Sequence, residues 1–123
     1  VVIEDGRAEA RRFLLANDDL IAPEFLMVEV ANALRTKVAR GQFAAENGGA
    51  ALDAVQAAIA DFVPDRLLVA DAFSLASRLQ HSVYDCLYLA CAARHDATVM
   101  TADKRFLDKL ASHPERDRVH TLS

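Results

Sequence analysis

Glycine, proline and cysteine are scarce in this chain of 123 residues, at four, three and two copies, and the patterns they fail to form exclude several chemistries. Gly41, Gly48 and Gly49 make neither a Walker nor a dinucleotide-binding pattern, so no phosphate-cradling loop is expected. Cys86 and Cys91 fall on one predicted helix, where a spacing of five turns them roughly 140° apart and prevents a bridge. Neither belongs to a C-x-x-C or His-paired pattern. They read as small buried apolar side chains, for which a reducing cytosol is the natural setting. No apolar run approaches the roughly 18 residues of a membrane span, and no basic-then-apolar leader opens the chain. A soluble cytoplasmic protein with no membrane role is therefore expected. The four histidines, His81, His95, His113 and His120, show no H-x-x-x-H spacing, and no serine sits in a nucleophile elbow. Internal repeats, low-complexity tracts and linkers are absent as well.

What is present is a hydrophobic fraction of 53%, rich in alanine, with a formal charge of −4. The size fits one domain, residues 1–123, able to bury a core without disulfides. The charge argues against a nonspecific nucleic-acid coat, although a metal-loaded acidic site would cancel part of it locally. The chain opens at Val1 without an initiator Met, and Glu4, Asp5 and Gly6 already read as a loop. The domain is expected to be incomplete at its N-terminal side.

Periodicity outlines alternating elements. Residues 7–16 have a helical pattern, stopped by Asn17 and Asp18. Leu20, Ile21 and Ala22 read as a buried parallel strand ending at Pro23, which suits the first turn of a helix. That helix spans about 24–40, with Leu26, Met27, Val30, Leu34 and Val38 as its buried stripe and Gly41 closing it. Further helices are predicted over about 44–60, 66–79 and 84–94, the last apolar on nearly all sides, as a central helix packed on a sheet is. Phe62 and Val63, Thr98 to Met100, and Val119 to Leu122 supply short strands, and a short helix follows Asp103 to about Leu110. Such alternation indicates parallel βαβ units and an α/β fold.

Three acids stand at one predicted rim of this sheet, outside the carboxyl ends of its strands: Glu29, Asp85 and Asp103. Each has an ordinary explanation. Asp85 lies three residues after Ser82, a capping-box spacing with Asp in place of Glu. Asp103 suits an N-cap, with Thr101 as the alternative, and Glu29 suits a solvated helix position. Glu24 reads as compensating a helix dipole. Jointly the acids point elsewhere, because Asp85 and Asp103 begin consecutive helices on either side of the Thr98 strand. Glu29 shares a stripe with the small or polar Asn32, Ala33 and Thr36. Carboxylates converging on a crevice suit a hard cation, Mg²⁺ or Mn²⁺, and a capping Asp can still offer an oxygen to it.

Three blocks carry a family resemblance in order along the chain: Ala22-Pro23-Glu24 leading into Glu29-Val30-Ala31-Asn32-Ala33-Leu34, Val83-Tyr84-Asp85-Cys86-Leu87-Tyr88-Leu89-Ala90, and Thr101-Ala102-Asp103-Lys104-Arg105-Phe106. In these the chain resembles the PIN-domain ribonucleases, and among them the VapC toxins of type II toxin–antitoxin pairs. The resemblance implies a three-layer α/β/α fold with a short parallel sheet and surrounding helices. It implies hydrolysis of RNA phosphodiester bonds to leave a 5′-phosphate, with Glu29, Asp85 and Asp103 as three of four acids holding one or two Mg²⁺ or Mn²⁺ ions and Thr101 supporting them. It also implies a VapB-type antitoxin seated in the active-site groove, and a homodimer. The family's first acid is an Asp ending the central, opening strand, and by this alignment both precede Val1 and are missing from the sequence. Arg35, Lys37 and Arg40, with Lys104 and Arg105, are candidates to hold the RNA backbone, though they equally suit helix ends and surface charge. Two rival readings are a degenerate module that only docks a protein partner and, more distantly, a receiver-like phosphoacceptor.

Overall fold

The computed structural model describes residues 12–16, 19–101, 108–111 and 113–121. Five short strands form one sheet: β1 (Arg12–Ala16), β2 (Asp19–Pro23), β3 (Asp61–Val63), β4 (Thr98–Thr101) and β5 (Val119–Thr121). Their order across the sheet is β3-β2-β1-β4-β5. The outer pairs β2–β3 and β4–β5 are parallel, whereas β1 is antiparallel to both of its neighbours. Four strands therefore run one way and only the middle one is reversed.

The middle strand corrects the sequence reading, which made residues 7–16 a helix. Residues 12–16 are β1, and the rest of that span lies outside the described residues. The physical reason is an ambiguity of short apolar runs: Phe13-Leu14-Leu15-Ala16 fits a buried strand as well as a helix face, and periodicity alone does not choose. Pairing does. Leu14 sits opposite Ile21 on one side and Val99 on the other, and is 1% exposed. Without β1 the facing edges of β2 and β4 would leave unpaired backbone groups inside the sheet. Ala16 pairs with Asp19, so β1 and β2 are neighbours both along the chain and in the sheet. The central position of the sheet is thus taken by β1, which runs opposite to the other four strands.

The remaining elements follow the sequence closely. Helix α1 spans Phe25–Ala39, α2 Gly48–Ala58, α3 Val69–Leu79 and α4 Val83–Arg94, with short 3₁₀ turns at Ala45–Asn47 and Asp65–Leu67. A 3₁₀ turn at Ala45–Asn47 takes the place of the first turn expected of α2, and the α-helix itself begins at Gly48. Gly41, with φ 72°, ends the chain's excursion after α1 in the left-handed region that glycine adopts without strain. The expected stripe of α1 is buried only at Leu26; Met27, Val30, Leu34 and Val38 are half-buried. Its outer part packs on α2, which has no fully buried residue, rather than on the sheet.

Helix α4 is the core element. Residues 86–92 are all buried, and the helix packs against α3, β2 and β4, spanning the reversed strand between them. The cluster around it includes Leu14, Leu26, Leu68, Val99, Leu110 and Val119. Cys86 and Cys91 are free thiols within this core, in keeping with their apolar reading. Burial, followed by the nearby charges of Asp61 and Asp65, pushes the Cys91 thiol up to about 12. An acid whose folded pKa is raised keeps its proton in the native state after the unfolded chain has lost it. Stability is then full below the unfolded thiol value and falls as pH rises towards the folded one. Between about pH 9 and pH 12 the wild type should lose more urea resistance than Cys91→Ala, and equal slopes in the two proteins would refute that coupling.

Candidate functional site

The strand directions place the candidate residues. α1 leaves the sheet from the carboxyl end of β2, and β4 ends at the same rim because it runs parallel to β2. α4 precedes β4 and descends antiparallel to it, so the first turn of α4 also lies at this rim. Glu29 on α1 and Asp85 on α4 are brought to the same end of the sheet by this arrangement. Thr101 closes β4 there and is described by its backbone alone. Asp103, Lys104 and Arg105 lie outside the described residues.

Side-chain hydrogen bonds fix the entries of α4 and α1. Ser82 caps α4 in extended backbone, and its Oγ accepts the Asp85 backbone N–H at 3.3 Å, as the spacing predicted. Ser82→Ala should cost about 1 kcal/mol, measured by urea denaturation; no loss would show the cap to be idle. The Asp85 carboxylate is turned towards His81, whose Nε2 lies 2.5 Å from Oδ2. Both side chains are mostly covered, at 10% and 16% exposure. An ionised carboxylate only accepts, so Nε2 carries the shared proton. At the start of α1 the roles are reciprocal: Asp65 Oδ1 accepts the Phe25 N–H at 3.0 Å, and Glu24 Oε1 accepts the Asp65 N–H at 3.4 Å. Glu24 is therefore tied to the turn after β3 as well as standing at the positive end of α1.

Glu29 is half-buried rather than solvated. Its Oε1 accepts a hydrogen bond from the hydroxyl of Tyr88, a residue of α4 that is 1% exposed. Tyr88 lies one turn beyond Asp85 on the same side of α4. His81, Asp85 and Tyr88 thus form one row along the helix entrance, in which His81 is bonded to Asp85 and Tyr88 to Glu29. Tyr88 escaped the sequence reading of the site. Its signal was available: a buried tyrosine in an otherwise apolar helix must find a partner for its hydroxyl. Beside the row, Tyr84 is 60% exposed and stacks on Phe25 with ring centroids 5.2 Å apart. Lys109 donates to the Gln80 carbonyl, fastening the segment after β4 next to His81. Arg35 and Arg40 are exposed towards the far end of α1.

The PIN domain model matches residues 1–111 of the chain. The chain belongs to the PIN domain family. No curated protein and no solved structure matches it. PIN domains are in general metal-dependent nucleases that use divalent ions, and a nuclease-type activity is the functional class this membership gives the chain. The receiver-like reading falls with it. Among the described residues no helix is long and apolar enough to cross a membrane. Nor does any group of three or more His, Cys, Asp or Glu among them stand close enough to hold a metal ion. The donors that are described nevertheless suit a PIN-type cation. Glu29 and Asp85 offer hard carboxylate oxygens, the chemistry that Mg²⁺ and Mn²⁺ select over softer metals.

Proposed function

We propose that this PIN domain is the endoribonuclease toxin of a VapC-type pair, hydrolysing RNA phosphodiester bonds with Mg²⁺ or Mn²⁺ held by Glu29, Asp85 and Asp103. The observation that carries the reading is that Glu29 of α1 accepts a hydrogen bond from Tyr88, which lies one turn beyond Asp85 on α4, while Asp85 is bonded to His81. A divalent cation, when bound, supplies Lewis acidity and positive charge at the scissile phosphate.

The chain's own residues do the rest. Glu29 and Asp85 are held in place, the first by Tyr88 and the second by His81, and the dipole of α4 favours a negative charge in its first turn, where Asp85 stands. Thr101, closing β4, supports the acids through its hydroxyl. The exposed Arg35, with Lys104 and Arg105 beyond β4, binds RNA phosphates and makes affinity fall with added salt. Tight regulation follows from a VapB-type antitoxin that occupies the groove, and the toxin works as a cytoplasmic homodimer.

The test is cleavage of a mixed cellular RNA pool by the purified full chain with Mn²⁺, with EDTA as the control. Metal-dependent fragments bearing 5′-phosphates support the reading. An inert protein that binds no Mn²⁺ and still captures an antitoxin-like partner would favour the docking module instead.

A further inference from the structure

Two side chains outside the proposed ligand set each bond to one of its acids. We infer that His81 and Tyr88 are positioning residues that clamp Asp85 and Glu29, respectively, into one cation-binding arrangement; the inference rests on the metal site proposed above. His81 immediately precedes the Ser82 cap, Asp85 lies in the first turn and Tyr88 one turn further on. Asp85 is tied by its backbone to Ser82, and Tyr88 is sealed in the core at 1% exposure.

Each end of the row takes hold of a different acid. His81 Nε2 donates to Asp85 Oδ2 at 2.5 Å, and the Tyr88 hydroxyl donates to Glu29 Oε1. Glu29 comes from α1, 59 residues away from Tyr88. Without that hydroxyl its carboxylate has several rotamers to choose from, since a glutamate side chain has three rotatable bonds. The bond therefore fixes a flexible ligand from one helix relative to a short, capped ligand on another. Carboxylates brought together repel, and a donor on each lowers that cost before any cation arrives. Such supporting partners also orient metal-binding carboxylates, and their removal commonly weakens metal affinity by about 10–100-fold.

Calorimetric titration of Mn²⁺ into the full chain tests this directly, beside a thermal melt for each variant. Tyr88→Phe removes one oxygen and retains the ring that fills the core. It should melt cooperatively as the wild type does and bind Mn²⁺ roughly tenfold or more weakly. His81→Leu should weaken binding similarly, and His81→Gln, which keeps an N–H donor, should restore part of the loss. In a Glu29→Gln background the Tyr88→Phe change should add little further loss, because the group it orients is already gone. An equal loss in both backgrounds would reduce Tyr88 to a packing residue and overturn the inference. So would wild-type affinity in Tyr88→Phe and His81→Leu while Glu29→Gln and Asp85→Asn bind poorly, an outcome that leaves the metal site standing. If Glu29→Gln and Asp85→Asn also bind Mn²⁺ like the wild type, the metal site and the clamp fall together.

Discussion

Asp85→Asn should reduce metal-dependent RNA cleavage by roughly a hundredfold or more, with little change in melting temperature. The magnitude follows from the several kcal/mol of charge stabilisation that a catalytic cation contributes, at about 1.4 kcal/mol for each factor of ten. The substitution is chosen to separate chemistry from folding. Asparagine has nearly the shape of aspartate, its backbone N–H still reaches Ser82 Oγ, and its carbonyl oxygen can still accept from His81. What disappears is the negative charge. Asp103→Asn should produce a comparable loss if that residue completes the ligand set. Cleavage rates on a fixed RNA, measured at several Mn²⁺ concentrations, give the answer. A deficit that high Mn²⁺ partly repairs is the signature of a weakened ligand. Undiminished cleavage by both variants would remove the proposed site altogether, whatever the fold.

The site was legible in the sequence where chemistry is local and obscure where it depends on distant partners. Ser82 and Asp85 announced a helix start by their spacing, and the hydrogen bond is there. α4 announced its central position by being apolar on nearly every side, and residues 86–92 are all buried. The pairing of Tyr88 with Glu29 joins residues 59 apart, and no local pattern encodes it. α1 failed in a different way. Its periodicity correctly marked an apolar side, but periodicity does not say what covers that side. Here α2 covers much of it, and most of the stripe is only half-buried. The β5 edge strand at Val119–Thr121 and the short strand at Phe62 and Val63 were readable because short β-branched or aromatic runs between turn signals have few alternatives. Phe13 to Ala16 had two alternatives, and the sheet chose between them.

That choice has a consequence for stability. Leu14→Ala should destabilise the protein by about 2–5 kcal/mol, the range for truncating a fully buried leucine whose cavity collapses only in part. A domain this size is commonly stable by about 5–15 kcal/mol, so the variant stands near the edge of unfolding and its urea midpoint should drop sharply. Burial alone would not distinguish a strand from a packed helix, since either can hide a leucine. Amide hydrogen exchange supplies the distinction. In the middle of the sheet, β1 bonds to β2 on one side and β4 on the other, so its amides should be among the slowest to exchange, opening only with the whole domain. Leu14→Ala should then speed exchange across β1, β2 and β4 together, because those strands share the side chain's neighbours Ile21 and Val99. Rapid exchange through residues 12–16 in the wild type, with β2 and β4 still protected, would mean that these strands keep their order without β1. The reversed strand would then be an accessory to the sheet that positions Glu29 and Asp85, and the rim would owe its geometry to α4 instead.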